Sequence, residues 1–292
     1  MRRQTRIATL ALAMAVAAQP QTREVIVCGP DGLSTLDIGG NQPKRTWVWK
    51  AVEHPELPEQ MLPKLRTVDE CKPVEGGSRI LITSSSGGVA LLERGTGKVL
   101  FYGSAVNAHS ADILPRGRIA VAASHTENKP GDRLIVFDIA KSDAEVYHTD
   151  LEAGHGVVWD EQRQVLWALS HPQLLAYKLL NWNSGSPSLS KIAAYALPDA
   201  LGHDLSAIPR SSMLSVTTGK RVWLFDRERR TFLPHPQLAN EADVKSATVN
   251  AATGQLVYTQ ANQGSTSTDT LRFLAPPRVI QILGARIYKA RW

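Results

Sequence analysis

Three histidines recur at one place in a repeated sequence pattern. His109, His155 and His203 each stand nine residues before the start of an apolar, strand-like run, as "RIAVAAS" follows His109. An imidazole titrates near neutral pH, so it can accept a proton and return it within one reaction. If the fold gathers the three rings, the sequence predicts a site for general acid–base chemistry.

Two further residues with ionisable side chains occupy the same position of the repeat or lie next to it. Glu70 stands nine residues before the run "RILITSS", and Lys245 adjoins the serine that takes the place in the last repeat. Arg66 lies shortly before Glu70, and either cation could neutralise a carboxylate. This combination suits β-elimination from a uronic acid, because a base removes the proton next to the carboxylate while cations stabilise the developing charge. Hydrolysis of a glycoside requires two carboxylates, and only Glu70 is in register.

Three other uses of the same residues stay open. The ligands His109, His155, His203 and Glu70 could hold a divalent transition metal. The protein could instead bind a glycan, an ion or an envelope protein without catalysis. A histidine before a strand could also simply hydrogen-bond the backbone of a neighbouring repeat.

The elements that must position these residues form a repeat of about 40 to 48 residues, the size of one four-stranded propeller blade. The repeated stretches are "DECKPVEGGSRILITSS", "NAHSADILPRGRIAVAAS", "GHGVVWDEQRQVLWALS", "GHDLSAIPRSSMLSVTT" and "VKSATVNAATGQLVYTQ". Short apolar runs separated by regular turn signals indicate an all-β fold. At the N-terminus, "EVIVCG", "GLSTLDI" and "KRTWVWK" form three strands that lack an innermost partner, which "ARIYKARW" at the C-terminus can supply. The sequence therefore predicts a β-propeller of six blades, closed by the C-terminal strand, with seven blades as the alternative.

The aligned position falls where the chain passes from the outer strand of one blade to the innermost strand of the next. In a propeller these loops surround the mouth of the central channel. We therefore expect Glu70, His109, His155, His203 and Lys245 to converge there on a ligand. Asn107 and Asp204 flank channel histidines, so each could orient a ring.

Residues outside the aligned position receive simpler interpretations. The Pro-rich segment from Ala51 to Arg66 is predicted to be a long loop over one face. The remaining histidines are interpreted as surface or loop residues: His54, His125, His148, His171 and His235.

The first residues predict export. "MRRQTR" is basic, "IATLALAMAVA" is apolar, and small residues follow, which is typical of a cleaved signal peptide over residues 1–18. The expected location is periplasmic or secreted, with a single propeller domain over residues 24–292. Export permits a disulfide between Cys28 and Cys71, although two buried thiols are the alternative.

The charge and hydropathy of the chain limit the classes of partner that we expect it to bind. Loss of three arginines with the signal peptide lowers the formal net charge from +6 to about +3. The chain contains no Lys/Arg block, so no nucleic-acid partner is expected, and no later segment is apolar enough for a membrane span. A small positive excess is compatible with an acidic glycan substrate, and we expect a monomer.

These stretches, together with "VTTGKRVWLFD" and "TDTLRFL", resemble a family of uncharacterised, exported bacterial and fungal β-propellers. The resemblance covers nearly all of the mature chain, and the group is similar to the fungal L-rhamnose-α-1,4-D-glucuronate lyases. It implies a substrate in the central cavity and a histidine that serves as base and acid. Apart from the resemblance, no cofactor is expected, with a divalent metal as the alternative. On this resemblance His109, in "NAHSA", is the catalytic residue, and His155, His203, Lys245 and Arg66 contact the substrate. The lyases have seven blades, whereas six are counted here.

Overall fold

The structure, a computed structural model, describes residues 23–292, which form six antiparallel sheets of four strands each. The predicted signal peptide lies outside the described residues. The six sheets are the blades of a propeller, so the predicted fold class and blade number are confirmed. Within residues 23–292, no helix is long and apolar enough to cross a membrane.

Each blade runs from an innermost to an outermost strand. Blade 1 is β24-β1-β2-β3, and blades 2 to 6 are β4–β7, β8–β11, β12–β15, β16–β19 and β20–β23. The strand bounds are β1 Glu24–Gly29, β2 Gly32–Asp37, β3 Lys44–Trp49, β4 Glu70–Val74, β5 Arg79–Ser84, β6 Gly88–Glu93, β7 Val99–Ser104, β8 Ala108–Leu114, β9 Arg118–Ala123, β10 Arg133–Asp138, β11 Glu145–Asp150, β12 Gly156–Asp160, β13 Val165–Leu169, β14 Gln173–Leu180, β15 Ser188–Ala196, β16 Asp204–Ala207, β17 Met213–Thr217, β18 Val222–Asp226, β19 Thr231–Pro234, β20 Val244–Val249, β21 Leu256–Gln260, β22 Thr270–Leu274, β23 Arg278–Gln281 and β24 Lys289–Arg291.

The ring closes in blade 1 as the sequence predicts. β24 pairs antiparallel with β1, with Cys28 opposite Lys289 and Ile26 opposite Arg291. This pairing covers an edge of β1 that would otherwise be free. It also carries the last residues of the chain into the central channel, where their side chains become part of the site described below.

A disulfide joins Cys28 of β1 to Cys71 of β4. The two strands belong to blades 1 and 2, so the bond fastens the closing blade to its neighbour. The cysteines are 43 residues apart in sequence, with Cα atoms separated by 6.1 Å. The structure therefore contains the disulfide rather than two buried thiols.

The segment between blades 1 and 2 differs from the predicted open loop. It forms three short 3-10 helices, Ala51–Glu53, Glu59–Met61 and Pro63–Leu65. Leu57, Met61 and Leu65 are buried in the hydrophobic core that these two blades share. The apolar residues between the prolines explain the difference, because burying them favours a packed segment over a solvated loop.

Side chains of the innermost strands accept hydrogen bonds from backbone N–H groups on the free edge of the adjacent innermost strand. Each innermost strand pairs with one neighbour only, so its other edge presents unpaired backbone groups to the channel. The N–H of Val157 donates to Oγ of Ser110 in the preceding blade at 3.3 Å, and the N–H of Ala290 donates to Oγ of Ser246 at 3.0 Å. Small polar side chains on the innermost strands therefore hold adjacent blades together around the axis.

Candidate functional site

A row of side chains lines one mouth of the central channel. The imidazole of His109 stacks on that of His155 with ring centroids 4.2 Å apart and an interplanar angle of 10°. The His203 ring meets His155 edge-on at 5.6 Å, and the Lys245 Nζ lies 3.3 Å from Nε2 of His203. Four blades thus contribute one side chain each, and the predicted convergence of these four residues is what the structure contains. We call these residues, with His171, the mouth cluster.

His171 belongs to this cluster although the sequence interpretation placed it outside. Its ring stacks on His155 with centroids 4.6 Å apart and faces the edge of His203 at 6.4 Å. It lies in the turn between β13 and β14, which opens on the same channel face as the loops that enter the innermost strands. The sequence alignment compared only the loops that enter the innermost strands. It could not find His171, because the turn between the second and third strands of a blade reaches the same face.

Hydrogen bonds define the proton positions on two rings. Nδ1 of His155 lies 2.9 Å from the carbonyl oxygen of Ala153, so Nδ1 carries the proton and donates it. Nε2 of His203 accepts from the Lys245 ammonium, which leaves the proton on Nδ1. Among the residues described, Nδ1 of His203 and Nδ1 of His109 are buried with no hydrogen-bond partner. Two ring nitrogens of the cluster therefore have unused hydrogen-bonding capacity.

The mouth cluster is uncharged at its imidazoles near neutral pH. Burial, with Lys245 and His171 adding to it, lowers the pKa of His203 to about 3. Burial also takes the pKa values of His109 and His155 well below their ordinary range, and that of His171 below it. Burial lowers the pKa of Lys245 as well, against the opposing effect of Asp243, whose Oδ1 lies 3.6 Å from Nζ.

Glu70 does not lie at the mouth, contrary to the prediction. It is fully buried in the channel and receives two hydrogen bonds of 2.8 Å from the guanidinium of Arg291. Arg291 bonds Asp204 as well, and Lys289 Nζ lies 3.1 Å from Asp204 Oδ1 and 3.5 Å from Glu70 Oε2. We call these four residues the ionic plug. Asp204 therefore pairs with cations instead of orienting a histidine ring.

The charges of the ionic plug stabilise one another. Burial by itself would raise the pKa of Glu70 and of Asp204, but Arg291 and Lys289 outweigh it and hold both values below their ordinary range. The two carboxylates in turn outweigh the effect of burial on Arg291 and raise its pKa. Lys289 and Arg291 were absent from the predicted site, although "YKARW" shows two cations where the innermost strand of blade 1 was expected.

Strand pairing explains why Glu70 and the histidines occupy different levels. Glu70 pairs with Thr83 and Asp204 with Thr217, so these two carboxylates are the equivalent residues. The residue before each one, Asp69 or His203, donates its N–H to the carbonyl of the same threonine. The residue equivalent to His203 in blade 2 is therefore Asp69. Its carboxylate accepts from the N–H of Ser85, and burial raises its pKa.

Arg66 and Asn107 lie outside the mouth cluster. Arg66 is exposed on the wall of a separate cavity of about 430 Å³, which Trp49 and Leu65 also line. The side-chain amide of Asn107 donates to the carbonyl of His125 at 2.8 Å and so holds a loop rather than a ring.

Three of the other histidines make local contacts. His54, His125 and His148 pair with Glu56, Asp132 and Glu145, respectively. His235 lies in the loop after β19 and is buried, and its Nδ1 accepts from the N–H of Leu238 at 3.1 Å.

In the part of the chain that the structure describes, no group of three or more His, Cys, Asp or Glu side chains is arranged to hold a metal ion. Because the His109 and His155 rings stack nearly parallel, their lone pairs lie in separate planes and do not converge on one metal ion. Glu70, the fourth ligand considered, is committed to the ionic plug. Within residues 23–292, the four ligands considered, His109, His155, His203 and Glu70, therefore do not converge on a common point.

Fold and site together define a six-bladed β-propeller with a neutral imidazole cluster and one amine at a channel mouth. The chain belongs to a family of unknown function (DUF6528), whose model matches residues 38–292. It is similar in fold to a protein of unknown function from Bacteroides caccae, with a TM-score of 0.59 and 12% identity over 91% of this chain and 97% of that one. No curated protein matches the chain. These matches name no activity, so the lyase resemblance stays a prediction.

Proposed function

We propose that the mouth cluster is the active site of an exported lyase that cleaves a uronic-acid glycan by β-elimination. The substrate expected from the sequence resemblance is a rhamnose–glucuronate linkage. The observation that carries the proposal is the row from His109 through His155 and His203 to Lys245, because it places a neutral base at one end and a cation at the other.

The two ends of the row have separate roles. Lys245 binds the carboxylate of the glucuronate ring and stabilises the charge that develops on it. His109 removes the proton on C5, and the electron pair of that C–H bond forms a double bond between C4 and C5. The C4–O4 bond breaks, and the departing oxygen of rhamnose takes up a proton from the imidazolium. Atoms and charge balance without an added reactant.

Substrate binding makes the base more effective. The imidazole pKa values are low in the free protein because burial and nearby cations disfavour a second positive charge. A bound carboxylate reverses part of that effect, since an opposite charge nearby raises the pKa of an imidazole. The bound complex therefore brings His109 closer to the pKa at which general base catalysis at neutral pH is efficient.

The test is incubation with a rhamnose-capped glucuronate oligosaccharide while the ultraviolet absorbance of the new conjugated double bond is recorded. We expect product with the native chain and a loss of rate of about 100-fold or more in His109→Ala. His148→Ala is the matched control, because His148 lies on the outermost strand β11 of the same blade, and its rate should be unchanged. Equal rates in the native chain and His109→Ala contradict the proposal.

The second candidate is a propeller that binds an acidic glycan without turnover. The low pKa values of four neighbouring imidazoles favour it, because a strongly disfavoured imidazolium limits proton transfer. Calorimetric titration with the same oligosaccharide separates the two functions. Tight binding with no absorbance change, weakened but not abolished in His109→Ala, identifies the binding protein.

A further inference from the structure

A cavity lies at the end of the central channel opposite the mouth cluster, and it is separate from the cavity beside Arg66. It has a volume of about 450 Å³, and all six innermost strands contribute to its wall. Its lining includes Lys72, Asp112, Trp159, Ala207, Arg291 and Trp292. The innermost strands begin at the mouth cluster and end at this cavity, so the two sites open on opposite faces of the propeller.

The ionic plug separates this cavity from the mouth cluster. Glu70, Asp204, Lys289 and Arg291 are at most 3% exposed, and Arg291 alone of the four also lines the cavity. The cavity is therefore a site distinct from that of the proposed lyase, and a ligand there does not contact the histidines.

The charged groups of the cavity are already paired. Lys72 Nζ lies 3.3 Å from Asp112 Oδ2 and donates to the carbonyl of Val157 at 2.7 Å. The guanidinium of Arg291 is committed to the plug, and Glu75 at the rim pairs with Arg79 at 3.0 Å. A ligand that carried a net charge would be desolvated without finding an unpaired partner, so the cavity selects an uncharged ligand.

Aromatic and polar surfaces share the rest of the wall. Trp159 and Trp292 line the cavity and are half-buried. Ser206 and Thr248 on the wall donate their hydroxyl protons to the carbonyls of Ala247 and Ala290, which leaves the hydroxyl oxygens able to accept a hydrogen bond from a ligand. Indole rings beside uncharged oxygens that can accept hydrogen bonds match the C–H groups and hydroxyl donors of a pyranose.

We propose that this cavity binds an uncharged saccharide of one or two rings. The volume falls within the range of about 300 to 1,000 Å³ that is usual for small-molecule sites. The proposal does not depend on catalysis at the mouth cluster, and it assigns the opposite face of the propeller a separate ligand.

Calorimetric titration of the full chain with L-rhamnose, D-galactose and maltose, and with D-glucuronate for comparison, tests the proposal. We expect at least one neutral saccharide to bind, and binding to fall about tenfold or more in Ala207→Phe, which fills the cavity from an exposed position of β16. Ala207→Ser is the matched control and should retain binding. His109→Ala should retain it too, because that ring lies beyond the plug.

Two results overturn the proposal. One is the absence of binding by all three neutral saccharides at millimolar concentration, and the other is undiminished binding in Ala207→Phe. Circular dichroism checks that Ala207→Phe is folded. If it is not, Trp159→Ala replaces it, with the same tenfold loss expected and undiminished binding again contradicting the proposal.

Discussion

The guanidinium of Arg291 donates two hydrogen bonds of 2.8 Å to the carboxylate of Glu70, which is 221 residues away in sequence. The pair connects the strand that closes blade 1 to the first innermost strand of blade 2. Because the same guanidinium also holds Asp204 of blade 5, one side chain near the C-terminus joins three blades at the axis.

Replacing Arg291 should destabilise the whole propeller. In Arg291→Met, Glu70 and Asp204 lose their main partner while they remain buried, which costs about 3–5 kcal/mol for a broken buried ion pair. Urea unfolding followed by tryptophan fluorescence measures the free energy of unfolding. Arg286→Met is the control, since its pair with Asp31 is exposed and such pairs contribute ~0–1 kcal/mol. Equal effects of the two substitutions would show that the plug is not a major source of stability.

The stability of the fold should decrease in acid, and His203 should contribute to the decrease. Its pKa is about 3 in the folded chain against an ordinary value of 6.5, so only the unfolded chain binds its proton between those values. A lowered folded pKa gives stability that is complete above pH 6.5 and lost as the pH falls toward 3. We expect His203→Gln to have a shallower decrease than the native chain in urea unfolding at pH 7.5, 5.5 and 4.5. His148→Gln should follow the native curve, and a native slope in His203→Gln contradicts the assignment.

Removing the amine of Lys245 should raise the pKa of His203. After burial, Lys245 is the largest cause of the low pKa of that ring, and its Nζ contacts Nε2 at 3.3 Å. In Lys245→Met the value should rise above about 3, which a titration of the imidazole nitrogens by nuclear magnetic resonance can measure. Lys191→Met, on the exposed outermost strand β15, is the control and should leave the value unchanged. An unchanged pKa in Lys245→Met would mean that the amine of Lys245 does not contribute to the low pKa of His203.

Reduction of the disulfide should lower stability without changing the fold. A bond that closes 43 residues restricts the unfolded chain, and disulfides of this kind contribute about 2–4 kcal/mol. The midpoint of thermal unfolding should fall when dithiothreitol is added. The double variant Cys28→Ser, Cys71→Ser should match the reduced chain and no longer respond to dithiothreitol. A native midpoint in that variant rules out a stabilising role.

The repeat in the sequence was sufficient to predict the propeller, its blade number and its closure. Strand periodicity and turn residues are local signals, and each blade repeats them, so the pattern is strong even where single strands are short. The gathering of His109, His155 and His203 followed from the same alignment, because equivalent residues of a ring lie at one level of its axis.

The prediction for Glu70 was wrong because an alignment by runs of apolar residues is accurate to about one residue. In a strand, a shift of one residue moves a side chain to the opposite face. Asp69 thus takes the place at the mouth, while Glu70 joins Asp204 in the channel. The predicted places of His171 and Arg66 differed from the observed ones for another reason. The positions of loops between strands depend on contacts that the repeat does not specify.

The ionic plug closes the central channel between the histidine-lined mouth and the cavity on the opposite face. If the proposed glycan substrate binds at the mouth, it cannot thread through to the far side, so only the end of a sugar chain can reach the imidazoles. For the lyase proposed above, this closure favours the removal of terminal units, one at a time, over cuts in the middle of a long polymer.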